Sequence, residues 1–233
     1  VDALEEELGV VLFERSRQGY VLTPTGAGLL EHVRRMGQAA GDLSLAASGR
    51  ADAVEGTIRI SASEIEAVLV LPPVLARLRD EAPGIEVEMV ASDTASNIRR
   101  READIAIRNF RPTDPELIAR KIRDDAARLY GSAALIDRIG RPVTPGAVNA
   151  APFIGFDPPD QYIDGLNRRG LAISVANIKL RSSSMLMHWE LVKAGVGLSV
   201  IPESVGDGEP GIERVLDDKL EPLAFPVWLT THR

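Results

Sequence analysis

Cysteine is absent from the 233 residues, which excludes a disulfide framework, a thiolate metal site and a cysteine nucleophile. Histidine is scarce. His32, His188 and His232 are its three occurrences; they lie far apart in the chain, and no HExxH, GxSxG or phosphate-loop string accompanies them. An enzyme is therefore not expected, and neither is a metal or a cofactor. Long apolar runs are missing too. The longest are short and broken by Pro or Gly, so no membrane span is expected, and the start carries no basic-then-apolar leader, which together with the lack of thiols suits a cytoplasmic location. Aromatic residues make up only 4%, against 45% hydrophobic and 26% charged. That is the balance of an ordinary globular chain, long enough for one large or two small cores. The formal net charge of −7 speaks against phosphate binding by the chain as a whole. It leaves room for a small basic contact surface on a larger acidic body.

The first residue is Val1, and Val1, Leu4 and Leu8 recur at helical spacing before Gly9, a usual residue just past a helix C-terminus. The chain is thus expected to begin inside a helix, with more of it upstream. Residues 10 to 22 run as an apolar segment, a polar tip ending in Gln18-Gly19 and a second apolar segment, the pattern of a hairpin. Thr23-Pro24 pairs an N-cap with a proline at the first helical position, a strong start signal. From there to about Ser48 no strong breaker intervenes. Leu29, Val33, Met36, Ala40, Leu43 and Ala47 form a heptad seam, narrower than the face of a helix lying on a globular core and suited to two helices packed together. Some 25 residues at about 1.5 Å each make a rod of roughly 37 Å.

Residues 49 to 56 are small, polar and Gly-bounded, which marks a hinge, and a new domain should begin at Thr57. Strand-like Thr57–Ser61, a helix from Leu71 ended by Pro83, strand-like Ile85–Val90, a short basic helix over Asn97–Glu102 and strand-like Asp104–Arg108 make a βαβαβ pattern, which predicts a mostly parallel sheet with helices on its faces. Further strand signals start at Leu117, Ala127, Phe153, Ile178, Gly197 and Phe225, with helices near 160–169 and 185–194. One sheet and two smaller lobes are equally compatible with this pattern.

Leu4-Glu5, Leu8-Gly9, Leu12-Phe13-Glu14-Arg15 and Leu22-Thr23-Pro24-Thr25-Gly26 stand in order and at the spacing of the recognition-helix end, wing and linker-helix start of LysR-type transcriptional regulators. Leu71-Pro72-Pro73, Ala82-Pro83-Gly84-Ile85, Asp104 to Arg108 and Ala194 to Pro202 are similar to landmarks of the same family's effector-binding domain, so the resemblance covers essentially the whole chain. It implies an α/β protein: a remnant winged helix-turn-helix (1–23), a long linker helix for dimerisation (24–49), a hinge (50–56), and a two-lobed periplasmic-binding-protein-like effector domain (57–233, with 57–126 and 203–233 in one lobe and 127–202 in the other). It also implies double-stranded DNA and a small-molecule effector as partners, a homodimer and commonly a homotetramer. Two departures stand out. The first two helices of the winged helix-turn-helix and the early turns of the recognition helix, which read bases in this motif class, are not in the sequence, so this chain alone is expected to bind DNA weakly; a further helix is also expected beyond Arg233.

Arg15, Arg17 and Gln18 at the hairpin tip are placed to meet phosphates or a minor-groove edge. In open α/β sheets ligands settle where strand ends meet helix N-termini, and two such junctions occur: Ser61, Ser63 and Glu64 after the first strand of the second domain, and Ser182, Ser183 and Ser184 before the helix at Met185. At least one serine of each group serves as an N-cap. Arg108 and Asn109 end another strand, and Phe156 follows Phe153-Ile154-Gly155 as a possible apolar wall of the same effector site. Glu64 would compete with a plain anion for a helix N-terminus. Arg99-Arg100-Arg101 reads as a solvated face. A solute-binding protein of a transport system would share the two-lobed fold, but has no use for a wing and a heptad helix.

Overall fold

A computed structural model describes residues 2–16, 19–47, 54–93, 103–115 and 117–232. It divides into two compact units, one of residues 1–57 with 82–86 and one of residues 58–81 with 87–233.

In the first unit α1 (Asp2–Leu8) is followed by the hairpin of β1 (Phe13–Ser16) and β2 (Gly19–Leu22), and then by the 24-residue helix α2 (Pro24–Ala47). Thr23 sets the start of α2. Its Oγ1 accepts the Gly26 N–H at 2.9 Å and donates to the Val11 carbonyl at 2.7 Å, so one hydroxyl both caps the helix and ties it to the chain entering the hairpin. Gly26 is required by this closeness, since a Cβ there would collide with the Leu12 carbonyl oxygen. Glu5, which the sequence shows only as part of an acidic helix, accepts the N–H groups of Leu12 and Phe13 at 2.6 and 2.9 Å. Along the seam of α2, Leu29 is half-buried and Ala40 exposed, while Val33 and Met36 are 56% and 71% exposed.

Most of a seven-stranded sheet lies in the second unit. Its strands are β3 (Glu55–Ala62), β4 (Gly84–Ala91), β5 (Ile105–Arg108), β6 (Leu117–Ser132), then, after β7 (Phe153–Gly155) and β8 (Ile178–Arg181), β9 (Ser199–Pro202), β10 (Ile212–Arg214) and β11 (Leu223–His232), in the order β10-β6-β11-β5-β3-β4 with β9 beside β6. The expected mostly parallel sheet is corrected here. β3 and β5 run parallel, but β11 is antiparallel to both β5 and β6, and β9 and β10 are antiparallel to β6. β7 and β8 form a separate parallel pair.

The reason lies in β6. Two strands are expected, at Leu117 and Ala127, yet the charged stretch Arg123-Asp124-Asp125 stays extended because β11 pairs with it, Phe225 opposite Asp125 and Val227 opposite Arg123. The first half of β6 is solvated and the second buried, a change that fits a one-face-wet antiparallel strand running into a core. Pro226, with no N–H to give, stands just before the register shift between Val227 and Trp228, and β5 pairs only from Trp228 on; a bulge is where a sheet tolerates proline.

Helices α3 (Pro72–Glu81), α4 (Ala133–Arg138), α5 (Asp160–Asn167), α6 (Met185–Lys193) and the short α7 (Glu203–Gly206) pack around these strands. A single wide turn, Glu66–Val70, precedes α3. It carries the buried Glu66, whose carboxylate meets Arg123 at 3.0 Å. One core gathers Leu129, Leu135, Phe153, Leu166 and Leu198; a second gathers Ile65, Tyr130, Ile154, Trp189 and Ile201. The expected basic helix over Asn97–Glu102, with Arg99 to Arg101, lies outside the described residues. Among the described residues no helix is long and apolar enough to cross a membrane.

Thr23→Ala removes both the cap and the tie to Val11. It is expected to destabilise the protein by about 1 kcal/mol, with a lower thermal unfolding midpoint and reduced helical circular dichroism as the measurements.

Candidate functional site

The side chains after the strand ends of the second unit converge on one cavity of about 760 Å³. The stretch after β3 supplies Ser63 and Ile65, the stretch after β5 supplies Asn109, the stretch after β7 supplies Phe156, and the turn before α6 supplies Ser183. These residues are up to 120 positions apart, and the structure brings together here four that the sequence reading groups in one candidate site.

Not every residue of the two serine clusters reaches that cavity. Ser61 is buried, and its Oγ accepts a 2.6 Å hydrogen bond from Nη2 of the buried Arg108, whose Nη1 donates to the Ile107 carbonyl at 2.8 Å. Burial lowers the Arg108 guanidinium below its ordinary range, opposed by the nearby Asp93 carboxylate. The pair braces the ends of β3 and β5 behind the cavity. Glu64 donates its N–H to Asp93 Oδ1 at 3.0 Å, and its Oε2 accepts the Ser184 hydroxyl at 2.6 Å, joining the two serine junctions. Ser184 Oγ also accepts the Met187 N–H and so caps α6. Ser182 holds the turn together: its Oγ accepts from Ser184 N, and its N–H donates to the Gly155 carbonyl.

Ser63 Oγ and Asn109 Oδ1 remain. Both are buried and have no hydrogen-bond partner among the described residues. A buried polar atom left unpaired costs about 1 to 3 kcal/mol, so a ligand that donates to them gains what the folded chain forgoes.

The sequence treats His188 as an isolated histidine, but the structure makes it the support of this wall. It is wholly buried, with Nε2 3.0 Å from the Ser182 carbonyl and Nδ1 2.9 Å from Ser199 Oγ. A carbonyl can only accept, so Nε2 carries the proton and Nδ1 accepts from the serine. The ring also lies against Phe156, centroids 4.4 Å apart, and Phe156 meets Tyr162 edge-on at 5.5 Å. One neutral imidazole thereby fixes the Ser182–Ser184 turn and the aromatic wall. Sequence reading also misses the face of α5 formed by Gln161, Tyr162, Gly165 and Leu166, all of which line the cavity. Their helical spacing is the signal that could have found them.

In the first unit Arg15 lies on β1, its backbone opposite Tyr20; Arg17 and Gln18 lie outside the described residues, and nothing is described of the side chains of Leu43 and Ala47.

The family model for the LysR substrate binding domain matches residues 51–233. The chain belongs to the LysR-type transcriptional regulator family. Over 211 residues it is 28% identical to a probable hydrogen peroxide-inducible genes activator of Mycobacterium avium, covering 87% of this chain and 67% of that protein. Over 216 residues it is 28% identical to the HTH-type transcriptional regulator ClcR of Pseudomonas putida, covering 88% and 72%. The solved structure of CrgA, a LysR-type transcriptional regulator from Neisseria meningitidis, shares the fold with a TM-score of 0.68 at 23% identity, over 100% of this chain and 80% of that one. In this LysR-family chain the described cavity lies wholly within the matched residues.

Burial holds the pKa of His188 below its ordinary 6.5, so the unfolded chain takes up the proton first. Its contribution to stability is complete above about pH 6.5 and is lost as the pH falls below it. Urea unfolding should therefore show stability dropping from about pH 7.5 to about pH 5.5, with a smaller drop in His188→Asn, whose side chain does not titrate. Equal pH dependence in the two proteins would refute the assignment.

Proposed function

We propose that this chain is the sensing and dimerising part of a DNA-binding transcriptional regulator, controlled by a small-molecule effector held between the lobe of residues 57–126 with 203–233 and the lobe of residues 127–202. The observation that carries this reading is the cavity itself: Ser63, Asn109, Phe156 and Ser183 line one space from four separated stretches, and two of them offer buried acceptors without partners among the described residues. Ser61 and Arg108 brace that site, while Glu64 and Ser184 link its two sides through their 2.6 Å hydrogen bond. A ligand that favours one spacing of the two sides shifts the equilibrium between arrangements, and a coupling of about 1 to 3 kcal/mol is the usual size of such control.

The M. avium relative is named for hydrogen peroxide. With no cysteine in these 233 residues there is no thiol for peroxide to oxidise, which supports a bound molecule as the signal here. DNA contact is assigned to the hairpin tip, where Arg15, Arg17 and Gln18 would meet phosphates, within the complete regulator; the helix-turn-helix named in the P. putida relative supports this. The work of such a protein places it in the cytoplasm.

Self-association is assigned to α2. Val33 and Met36 are too exposed to serve a core within one chain, and a partner helix would cover them along with Leu29, Ala40, Leu43 and Ala47. The dimer so formed is the building block of a homotetramer.

Ser63→Trp and Ser183→Trp fill the cavity from either side. Each is expected to abolish effector-dependent reporter expression while leaving the circular dichroism spectrum of the fold intact, and a normal response in both variants would overturn the cavity assignment.

The double variant Val33→Asp, Met36→Asp places two like charges on the seam. Sedimentation should show it dissociating at concentrations where the parent is dimeric; association as tight as the parent's would rule the seam out.

A further inference from the structure

The cavity has two cationic side chains in its lining, and they are in opposite situations. Arg128 is committed: its guanidinium is paired with Glu203 and, at 2.7 Å, with Asp217. Arg169 is not. Its Nη1 donates to the Gly165 carbonyl at 2.9 Å, its Nε is buried without a partner, and it makes no ion pair among the described residues. A guanidinium offers five donors and holds its charge at any physiological pH, so a half-buried one facing a cavity without a counter-ion is built to receive an anion.

The rest of the lining limits where that anion can sit. Around Ser63 and Ser183 the Asp93 carboxylate accepts the Glu64 N–H and the Glu64 carboxylate accepts the Ser184 hydroxyl, and Asp157 stands beside Phe156 with Arg181 at 3.4 Å. An anionic group at that side would meet like charge. The face of α5 carrying Tyr162 and Leu166 lines the same cavity, and Arg169 stands in the turn two residues after that helix ends at Asn167. Val215, Leu216 and Leu220 wall the same space with apolar side chains. Leu216 holds a φ of 60°, a left-handed conformation costly for leucine, and its side chain is buried in the core against which the cavity opens.

We propose that Arg169 is the specificity-determining residue of this cavity and that the molecule held there is an amphipathic organic acid: an apolar or aromatic body along Tyr162, Leu166 and Leu216, its carboxylate on the Arg169 guanidinium, and a hydrogen-bond donor toward Ser63 and Asn109. This rests on the reading of the cavity as the effector site and adds to it the charge and orientation of the ligand. Glu64 and Asp93 then select against anions at the serine side, and the free guanidinium selects for them at the other.

The test uses naphthylacetate and its neutral amide, naphthylacetamide, as a matched pair of probes titrated calorimetrically into the full chain. The acid is expected to bind at least about ten-fold tighter than the amide, the least that a charge-assisted pair contributes. In Arg169→Gln that ratio should fall to about one through loss of affinity for the acid alone, and Arg169→Lys should restore part of it. A parent that binds the acid no better than the amide, or a ratio unchanged in Arg169→Gln, overturns the proposal. Ser183→Trp separates the two claims: loss of both probes there with an unchanged ratio in Arg169→Gln leaves the effector cavity standing and removes Arg169 from it.

Discussion

The antiparallel pairing of β11 with β6 governs the second unit. It sets the last strand of the chain against a strand from its middle, Leu223 opposite Ala127 and His232 opposite Leu117, so that segments a hundred residues apart share one ladder. β6 then leaves β11 and continues, from Ala127 onward, beside β9 and β10. Whatever is attached to the far half of β6 is positioned by that continuity, including Leu129 and Tyr130 at the heart of the two cores. A tight return at Arg123 would have placed these residues elsewhere, and the stretches that line the cavity would not meet.

Around the cavity the polar groups divide into those that are partnered and those that are not. Several are consumed in holding shape: Arg108 on Ser61, Ser184 on Glu64, His188 between Ser182 and Ser199. Other atoms of the lining, on Ser63, Asn109 and Arg169, are left without a partner among the described residues. The satisfied groups fix the backbone, and the unsatisfied ones are then held still at a free-energy cost that a ligand can recover. His188 takes part in this fixing through a buried neutral ring with both nitrogens engaged and a face against Phe156.

The first unit follows a different economy. Its folding is local: the Thr23 cap, the Glu5 carboxylate over Leu12 and Phe13, and a two-stranded ladder all act within about twenty residues. The helix that follows presents Val33 and Met36 to solvent. An apolar seam of this kind costs little in a single chain and gains area when a second helix covers it.

What the sequence by itself determined is whatever depends on near neighbours. Thr23-Pro24 marks the start of α2 because capping and the fixed φ of proline are properties of two adjacent residues; the heptad seam, the helices at Pro72, Asp160 and Met185, and the ordered strings of the LysR family are legible for the same reason. Tertiary structure alone decided the strand directions, since a strand with one wet face and a strand leading into a core look alike until β11 is seen to pair with the charged middle of β6. It also decided which serines face the cavity. Ser61 and Ser63 are two positions apart on one extended segment, yet one is closed off by Arg108, from 47 residues away, and the other is left open. Burial and partnership are set by long-range contacts that no local pattern encodes, and for that reason Arg169, which the sequence does not single out, acquires its meaning only when the cavity beside it is in view.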